Sequence, residues 1–468
     1  MLAQPDAKPA LSPAQGDAMD TPSSQSSARP GKLGSRPSAL RILARLLRDL
    51  PVPAEVRLQS GQALRAGCGA PVFTLLLKDT GLLRHLVTTR SPLSLADAYF
   101  RGQLDVDGDL YAALTLKAHF ERLTIPWRDR LALFVDCLRL GLEPATRDEP
   151  PPTNHAVPRP SRRHTRASDR QAVRYHYDVS NAFYALWLDA ERVYSCAYFE
   201  RPDDTLEQAQ RQKLDHICRK LRLKPGERLL DIGCGWGALA CWAARHHGAM
   251  VHGITLSKAQ FDDACRRVEA EGLQQQVRID LLDYRDLPET VAYDKVASIG
   301  MVEHVGLKNL PVYFAKVHRV LRPGGLFLNH GITHDEEGWN RTVATDFINR
   351  YVFPDGEFDC LSNIQLGMER AGFEIHDVEA LRRHYALTLR HWVARLESRR
   401  ELAVREVGET TYRIWRLYMA ASALEFEAGG TGVSQILASR RGAEPSLPLT
   451  RRDLYGPAHD GAATAPQP

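Results

Sequence analysis

Apolar positions follow a helical spacing in some segments of this chain and a strand-like spacing in others. Apolar residues recur at helical spacing between Leu40 and Leu50, and short strand-like runs follow at 56–58 and 72–77. From about residue 205 onward the two patterns alternate, with helices predicted at 206–221, 238–245, 258–271 and 311–321, and strands at 228–232, 251–255, 277–282, 295–299 and 325–329. Such alternation predicts an α/β fold, a doubly wound and mostly parallel sheet with its site at the carboxyl ends of the strands.

Changes in composition divide the 468 residues into segments. Proline, alanine and serine are frequent in residues 1–38, which predicts a disordered tail, whereas the pattern over 39–145 predicts a small α+β domain. Residues 146–174 are rich in proline and arginine and are interpreted as a linker. The α/β domain is expected to cover 175–440, with an insertion and cap at 334–400, and residues 441–468 are expected to form a flexible tail.

Charge is concentrated in the linker. The whole chain has 61 Lys and Arg against 57 Asp and Glu, a net +4 that is too small to predict nucleic-acid binding. Between residues 151 and 176, however, six arginines face one acid, Asp169. Two interpretations stay open: a solvated hinge, or electrostatic attraction to anionic lipid worth about 1 kcal/mol per basic side chain near the surface.

The sequence contains no run of roughly 18 apolar residues that would cross a bilayer. Its first residues lack the basic and apolar regions of a secretory signal, so a cytoplasmic location is expected. The eight cysteines form no CxxC pair and no zinc-like spacing with histidine, which favours free thiols and predicts no metal site.

A glycine-rich loop follows the first predicted strand of the α/β domain. Its residues, Gly233-Cys-Gly-Trp-Gly237, let the backbone approach a ligand that a side chain would exclude. Read through Ala238, the loop also fits the dinucleotide fingerprint, which expects an acid about 20 residues further on. The segment 252–257 reads His-Gly-Ile-Thr-Leu-Ser, and this absence of an acid disfavours a nicotinamide dehydrogenase.

Longer strings carry a resemblance to one family. LLDIGCGWG at 229–237, ITLSKAQ at 254–260 and LLDYRDL at 281–287 resemble an S-adenosylmethionine-dependent methyltransferase. Five further strings narrow the resemblance to one group of methyltransferases. They are HYDVSNAFYALWL at 176–188, YSCAYF at 194–199, GMVEHVG at 300–306, FINRYVFPDG at 347–356 and HYALTL at 384–389. Together these strings resemble the cyclopropane-fatty-acyl-phospholipid synthases and the related mycolic acid cyclopropane synthases over about residues 39–440. The resemblance implies a Rossmann-like methyltransferase domain behind a small amino-terminal domain that is similar in the phospholipid-acting members.

The resemblance also implies a binding site for S-adenosylmethionine. The implied contacts are Tyr194 and Ser195 at the methionine end, Gly233, Cys234, Gly235, Trp236 and Gly237 beside the carboxylate and ribose, Thr255 and Gln260 at the ribose, and Asp283 and Tyr284 near the adenine. Gln260 can supply the hydrogen bonds to ribose that a carboxylate supplies in other folds. For Ser195 or Thr255 taken alone, a hydroxyl that caps a turn is an equally good interpretation.

The implied reaction adds a methylene group across the cis double bond of an unsaturated acyl chain. Methyl transfer leaves a carbocation, and in the family a bound bicarbonate removes the proton as the ring closes. Its binding residues correspond here to Cys196 and Ile332 through backbone groups, and to Glu303, His330 and Tyr385 through side chains. A carboxylate beside bicarbonate implies a shared proton on Glu303 or His330. Taken singly, each of these residues also fits a structural role, as a helix cap, a core histidine or a packing ring.

One position departs from the family pattern. Ser422 stands where many members have a cysteine, which gives no support to a covalent thiol mechanism. Three functions stay open: a cyclopropane synthase acting on phospholipid, a fatty-acyl C-methyltransferase with the same cofactor that gives a methyl-branched or methylene product, and a non-catalytic lipid-binding or cofactor-binding module. The first predicts peripheral contact with the inner face of the membrane. The sequence does not determine the oligomeric state, for which a homodimer is one candidate.

Overall fold

The computed structural model describes residues 37–89, 92–140, 164–177, 179–290, 292–340 and 342–455. The small α+β domain contains, in chain order, α1 (Ser38–Leu46), β1 (Ala54–Leu58), β2 (Ala63–Ala66), β3 (Phe73–Leu77), α2 (Gly81–Thr89), α3 (Pro92–Phe100), β4 (Leu104–Gly108), α4 (Leu110–Leu114), α5 (Leu116–Arg122) and α6 (Trp127–Leu140). Its four strands are ordered β2-β1-β3-β4, with β1 and β3 parallel and the other two pairs antiparallel.

Helix α6 is fixed to α1 by one of its faces. Asp136 on α6 accepts hydrogen bonds from Nε of Arg41 at 2.9 Å and from Nη1 of Arg45 at 2.7 Å. Leu133 and Cys137 on the same face are buried in the core of the domain. Because these contacts orient the helix, its opposite face points away from the domain.

The larger domain is built around a seven-stranded sheet. Its elements are α7 (Arg166–Tyr177), α8 (Asn181–Trp187), α9 (Leu206–Lys220), β5 (Arg228–Ile232), α10 (Ala238–His247), β6 (Met250–Thr255), α11 (Lys258–Ala270), β7 (Val277–Leu281), β8 (Tyr293–Ile299), α12 (Val302–Val305), α13 (Leu310–Val320), β9 (Leu321–His334), α14 (Val343–Tyr351), α15 (Leu361–Arg370), β10 (Phe373–Ala380), α16 (Arg382–Ser398), α17 (Arg400–Ala428) and β11 (Thr431–Arg440). The strand order is β10-β11-β9-β8-β5-β6-β7. Strands β5 to β9 run parallel, and β11 is antiparallel to both of its neighbours.

Helices cover both faces of this sheet. Successive residues of a strand point to opposite faces, so Leu229 packs with α9, α10 and α11 while Leu230 packs with α13 and α15. Both side chains are fully buried, as a parallel sheet between two helical layers requires. The predicted fold class, a doubly wound Rossmann-like α/β domain with a small α+β domain, is confirmed.

Three predicted boundaries differ from the structure. The expected cap at 334–400 contains β10, the edge strand of the main sheet, and α15, which packs on α13. The last part of the expected linker at 146–174 belongs to helix α7, which begins at Arg166. Asp169 of this helix pairs with Arg285 of the main domain. The expected tail at 441–468 is folded as far as residue 455, where Leu454 is buried. Residues 141–163, which include most of the predicted linker, lie outside the described residues, as do 1–36 and 456–468.

The two domains are joined by a buried arginine. Arg413 on α17 donates from Nη1 to the carbonyl groups of Tyr99 and Leu104, at 3.1 and 3.3 Å, and from Nη2 to Asp105 at 2.8 Å. A buried guanidinium requires such partners, so this contact fixes the small domain against α17. Among the described helices, none combines the length and the apolar character that a membrane span requires.

Candidate active site

The glycine loop lies between β5 and α10, at the carboxyl edge of the sheet. Gly233, Gly235 and Gly237 all have positive φ, at 81°, 55° and 79°, a conformation that side chains other than glycine rarely adopt. A Cβ atom on Gly237 would also lie 3.3 Å from Cβ of Ala264 on α11. The loop therefore needs glycine both for its own conformation and for helix packing beside the pocket.

A pocket opens above this loop, and most of the predicted cofactor residues line it. These are Tyr194, Ser195, Gly233, Cys234, Gly235, Trp236, Thr255, Gln260 and Tyr284. Oγ1 of Thr255 donates to Oε1 of Gln260 at 2.9 Å, so the two residues predicted at the ribose position each other. The structure thus brings together residues from four separate segments of the chain.

Two predicted cofactor residues have other roles. Gly237 caps α10 and does not line the pocket. The Asp283 carboxylate also lies outside the lining and accepts hydrogen bonds from the backbone N–H, Nε and Nη2 of Arg285, at 2.9, 2.9 and 2.7 Å. Burial opposes its ionisation, but these bonds hold the pKa of Asp283 below its usual value. Its side chain fixes the turn that places Tyr284 at the pocket.

The sequence analysis missed two buried charged groups in this pocket. Lys213 on α9 donates to Oγ of Ser195 at 2.9 Å, and burial lowers its pKa to about 8. Asp231 stands at the end of β5, where burial raises its pKa to about 7 against the effect of Lys213. One oxygen of Asp231 has no hydrogen-bond partner among the described residues. An acid two residues before the first glycine of the loop was the available signal for Asp231, whereas no motif marks Lys213.

A second, larger cavity of about 1040 Å³ adjoins the first. Its walls are mostly apolar side chains from both domains, such as Leu43 and Leu83 of the small domain and Leu389 and Leu417 of the main domain. The two spaces share the lining residues Tyr177, Tyr194, Ser195, Gly300 and His304. All five residues predicted to bind the anion, namely Cys196, Glu303, His330, Ile332 and Tyr385, lie on the wall of the larger cavity.

Glu303 on α12 is buried with half of its carboxyl unpaired. Oε1 accepts the N–H of Ile332 at 2.8 Å, whereas Oε2 has no hydrogen-bond partner among the described residues. Burial raises the pKa of Glu303 to about 7, although the bond from Ile332 favours ionisation. The backbone N–H of Ile332 thus orients Glu303, and the predicted contact of the Ile332 backbone with an anion stays a prediction.

The other predicted anion-binding residues are neutral. The amide nitrogen of Gln435 lies 3.2 Å from Nδ1 of His330, so Nδ1 accepts and Nε2 carries the proton. Burial, and then the nearby lysines, lower the pKa of His330 to about 3. Burial raises the pKa of the Cys196 thiol, which donates to the carbonyl of Ala197 at 3.2 Å. Burial also raises the pKa of Tyr385, whose ring packs 4.7 Å from that of Phe426.

Aromatic rings surround the junction of the two spaces. The Tyr177 hydroxyl lies 3.2 Å from Nε2 of His304, and the ring of Tyr194 stacks on His176 at 5.6 Å. Tyr418 lies on the cavity wall with Ser422, the residue that replaces the family cysteine. The junction is therefore rich in ring faces and hydroxyl groups and holds no thiol at position 422.

Comparisons with known proteins identify the family of this chain. The family model described as "Mycolic acid cyclopropane synthetase" matches residues 164–436. A "Probable fatty acid methyltransferase" of Pseudomonas putida is 45% identical over 413 residues, covering 87% of this chain and 98% of that protein. The "Cyclopropane-fatty-acyl-phospholipid synthase" of Escherichia coli (strain K12) is 39% identical over 276 residues, covering 59% of this chain and 69% of that protein.

A solved structure gives the same result. The crystal structure of mycolic acid cyclopropane synthase CmaA1, complexed with SAH and CTAB, is 33% identical with a TM-score of 0.55. The match covers 58% of this chain and 98% of the solved chain. The Rossmann-like sheet with its glycine-loop pocket, together with these matches, places the chain among the S-adenosylmethionine-dependent methyltransferases. Within that class, the chain belongs to the mycolic acid cyclopropane synthetase family, which confirms the resemblance found in the sequence.

Proposed function

We propose that this enzyme transfers a methylene group from S-adenosylmethionine to the cis double bond of an unsaturated phospholipid acyl chain, forming a cyclopropane ring. The observation that carries the proposal is the unpaired Oε2 of Glu303, on the wall of a large apolar cavity beside the cofactor pocket. The volume of about 1040 Å³ is at the upper end of ordinary ligand sites, roughly 300–1,000 Å³, and the apolar walls favour an acyl chain. The name of the Escherichia coli relative supports the ring product and the phospholipid substrate.

The chain's own residues would act by positioning and by excluding water. When bound, S-adenosylmethionine supplies the electrophilic methyl group. An isolated alkene is a weak nucleophile, so the cavity walls must hold it close to the pocket shared with Tyr194 and Ser195. Positive charge would then develop on the acyl chain, beside apolar cavity walls that favour the exclusion of bulk water. The ring faces of Tyr177, Tyr194 and Tyr418 stabilise such a charge through their quadrupoles.

The residues around Glu303 fit a bound bicarbonate. The unpaired Oε2 of Glu303 can carry a proton near neutral pH and donate it in a hydrogen bond. Nε2 of His330 and the hydroxyl of Tyr385 are further neutral donors on the same cavity wall. Neutral donors bind an anion without charge repulsion, which resolves the conflict of a carboxylate beside bicarbonate. When bound there, bicarbonate supplies the base for the proton lost on ring closure.

Phospholipid substrates would place the enzyme on the inner face of the membrane as a peripheral protein. The arginines at 159, 162 and 163 would then contribute attraction to anionic lipid. Arg166 cannot be counted freely with them, because it pairs with Asp286 at 2.8 Å.

The product is tested with S-adenosylmethionine carrying a trideuterated methyl group and vesicles of unsaturated phospholipid. A ring retains two of the three deuterium atoms, lacks the original double bond and resists ozonolysis. A methyl branch that retains all three deuterium atoms, or an exocyclic methylene that retains two but is cleaved by ozone, would replace the ring by the alternative product. Absence of S-adenosylhomocysteine release with several unsaturated lipids would favour a non-catalytic binding module.

Glu303→Gln tests the site. The substitution should lower turnover by about 100-fold or more, because the amide cannot exchange a proton with the anion, while the affinity for S-adenosylmethionine changes little. Glu289→Gln is the matched control, since Glu289 lies on the surface and pairs with Lys316 and Arg319. Equal loss of turnover and of cofactor affinity would contradict the assigned role. Carbon-dioxide-stripped buffer should also reduce wild-type turnover, with recovery on adding bicarbonate.

A further inference from the structure

Helix α6 has two apolar faces, and the small domain uses one of them. Leu133, Cys137 and Leu140 are buried in its core. The other face, called here the α6 stripe, has exposed fractions between 38% and 71% and consists of Trp127, Leu131, Phe134, Val135 and Leu138. At 3.6 residues per turn these five positions form one strip, roughly opposite the buried face.

The stripe stands out from the rest of the described surface. Thirteen large apolar side chains of the described residues are exposed, and five of them lie on this one helix of 14 residues. Single exposed apolar residues are ordinary in proteins. A contiguous row that includes Trp127 and Phe134 marks an interaction site.

Positive charge borders the stripe. On the helical wheel Arg128 and Arg139 follow one edge and Arg130 follows the other, and all three residues are exposed. The two acids of the helix do not cancel this charge, because Asp129 and Asp136 are paired with arginines at positions 41 to 48. A Trp, Phe and Leu face with arginine borders is the composition of helices that lie in a membrane interface.

Several residues that line the large cavity beside this helix are also exposed, from which we infer that the cavity opens there. Lys117, Ala118 and Glu121 of α5 and Arg130 of α6 line the cavity and are also exposed. The same cavity extends to Glu303. An acyl chain that leaves a bilayer at α5 and α6 therefore has an apolar path to the proposed reaction centre.

We propose that the α6 stripe inserts into the interface of an anionic phospholipid bilayer, with the α5–α6 opening of the cavity against the lipid. The inference rests on the proposed function, since an acyl-chain substrate is what makes a membrane the partner of this opening. The arginine borders select anionic headgroups, and the chain continues from Leu140 toward the arginines at 159, 162 and 163. Either a bilayer or a second copy of the chain could cover the apolar α6 stripe. The arginines beside the stripe and the adjacent cavity favour the bilayer.

The test measures membrane binding without chemistry. Full-length enzyme is sedimented with vesicles of saturated phosphatidylglycerol and phosphatidylcholine, which offer no double bond. Leu131→Gln/Phe134→Gln should weaken vesicle binding at least tenfold, because two side chains that enter the apolar layer become polar. The matched control, Val312→Gln/Leu402→Gln, changes two exposed apolar residues of α13 and α17 and should bind as the wild type does.

A second variant tests the charged borders. Arg128→Gln/Arg139→Gln should weaken binding chiefly at low ionic strength, where charges are least screened. Unchanged vesicle binding by both variants would overturn the proposal. The proposal would also be overturned if Leu131→Gln/Phe134→Gln abolished a dimer while vesicle binding was retained, because the stripe would then bind a second copy of the chain. Wild-type binding without methyl transfer to unsaturated lipid would refute the proposed function and leave the membrane contact supported.

Discussion

Glu303 offers a prediction in which stability and turnover change in opposite directions. Burial raises the pKa of this carboxyl from 4.5 to about 7 in the folded protein, with one oxygen bonded to Ile332 and the other unpaired. In the unfolded chain the carboxyl ionises at its ordinary pKa. Ionisation therefore opposes folding: the cost is absent below about pH 4.5, grows as the pH rises to about 7 and is constant above that.

The size of this cost follows from the two pKa values. The difference between about 7 and 4.5 corresponds to roughly 3 kcal/mol, at about 1.4 kcal/mol per pH unit. Glutamine keeps the side-chain oxygen that accepts the Ile332 N–H but cannot ionise. The free energy of unfolding of Glu303→Gln should therefore rise relative to that of the wild type by about 2–3 kcal/mol between about pH 5 and about pH 8.

Urea unfolding of both full-length proteins, followed by tryptophan fluorescence at the two pH values, measures this change. Other titrating groups are common to both proteins and cancel in the difference. A stability difference that is the same at both pH values would refute the reasoning, because the carboxyl would then have an ordinary pKa when folded. The same result would remove the protonated donor from the proposed bicarbonate site.

Three further variants probe other parts of the structure. Lys213→Met removes a buried hydrogen bond at the cofactor pocket and should weaken S-adenosylmethionine binding by about tenfold in calorimetry; an unchanged Kd would contradict this. Asp169 and, to a smaller extent, Glu357 raise the pKa of His164 to about 9. The free energy of unfolding of the wild type should therefore exceed that of His164→Gln by the full amount below about pH 6.5, and this difference should disappear as the pH rises through about 9. A stability difference that is independent of pH would argue against that pairing. Gly253→Ala places a Cβ atom 2.8 Å from a side chain of β7 and should lower the free energy of unfolding by about 1–3 kcal/mol, whereas a neutral effect in urea unfolding would mean that the sheet adjusts without strain.

The strands of the main sheet were predictable where burial on both faces gives a continuous apolar run, as at β5 and β9. Strand β10 was missed, because it carries Glu374, Asp377 and Glu379 and pairs with β11 more than fifty residues later. The charge on this strand is accommodated by the helix packed beside it, where Lys220 contacts Asp377 at 3.2 Å and Glu379 at 2.8 Å. A partner this distant in the sequence leaves no local pattern.

The residues of the site were likewise predictable where the requirement is local, and unpredictable where it depends on contacts that the fold creates. The glycine loop was recognisable because its backbone conformation excludes other residues, and that requirement is local. Lys213 was not recognisable from the sequence, because its function depends on a contact with Ser195 that only the fold creates. The hydrogen bond from the Ile332 N–H to Glu303 is of this kind too, because it depends on how α12 packs on β9.

The small domain contributes to the cavity in which the proposed chemistry takes place. CmaA1 is matched over 98% of its length by 58% of this chain, and the family model begins at residue 164, so the small domain lies outside the region that the family model covers. Here that domain supplies much of the apolar wall of the large cavity, and Arg413 holds it against α17 through Asp105 and two backbone carbonyls. A cation formed on an acyl chain reacts with any water that reaches it, so the proposed chemistry requires a closed, dry path around the chain. Attaching that wall to the α17 helix, which also carries Tyr418, makes the enclosure of the acyl chain and the position of the aromatic junction depend on one set of contacts.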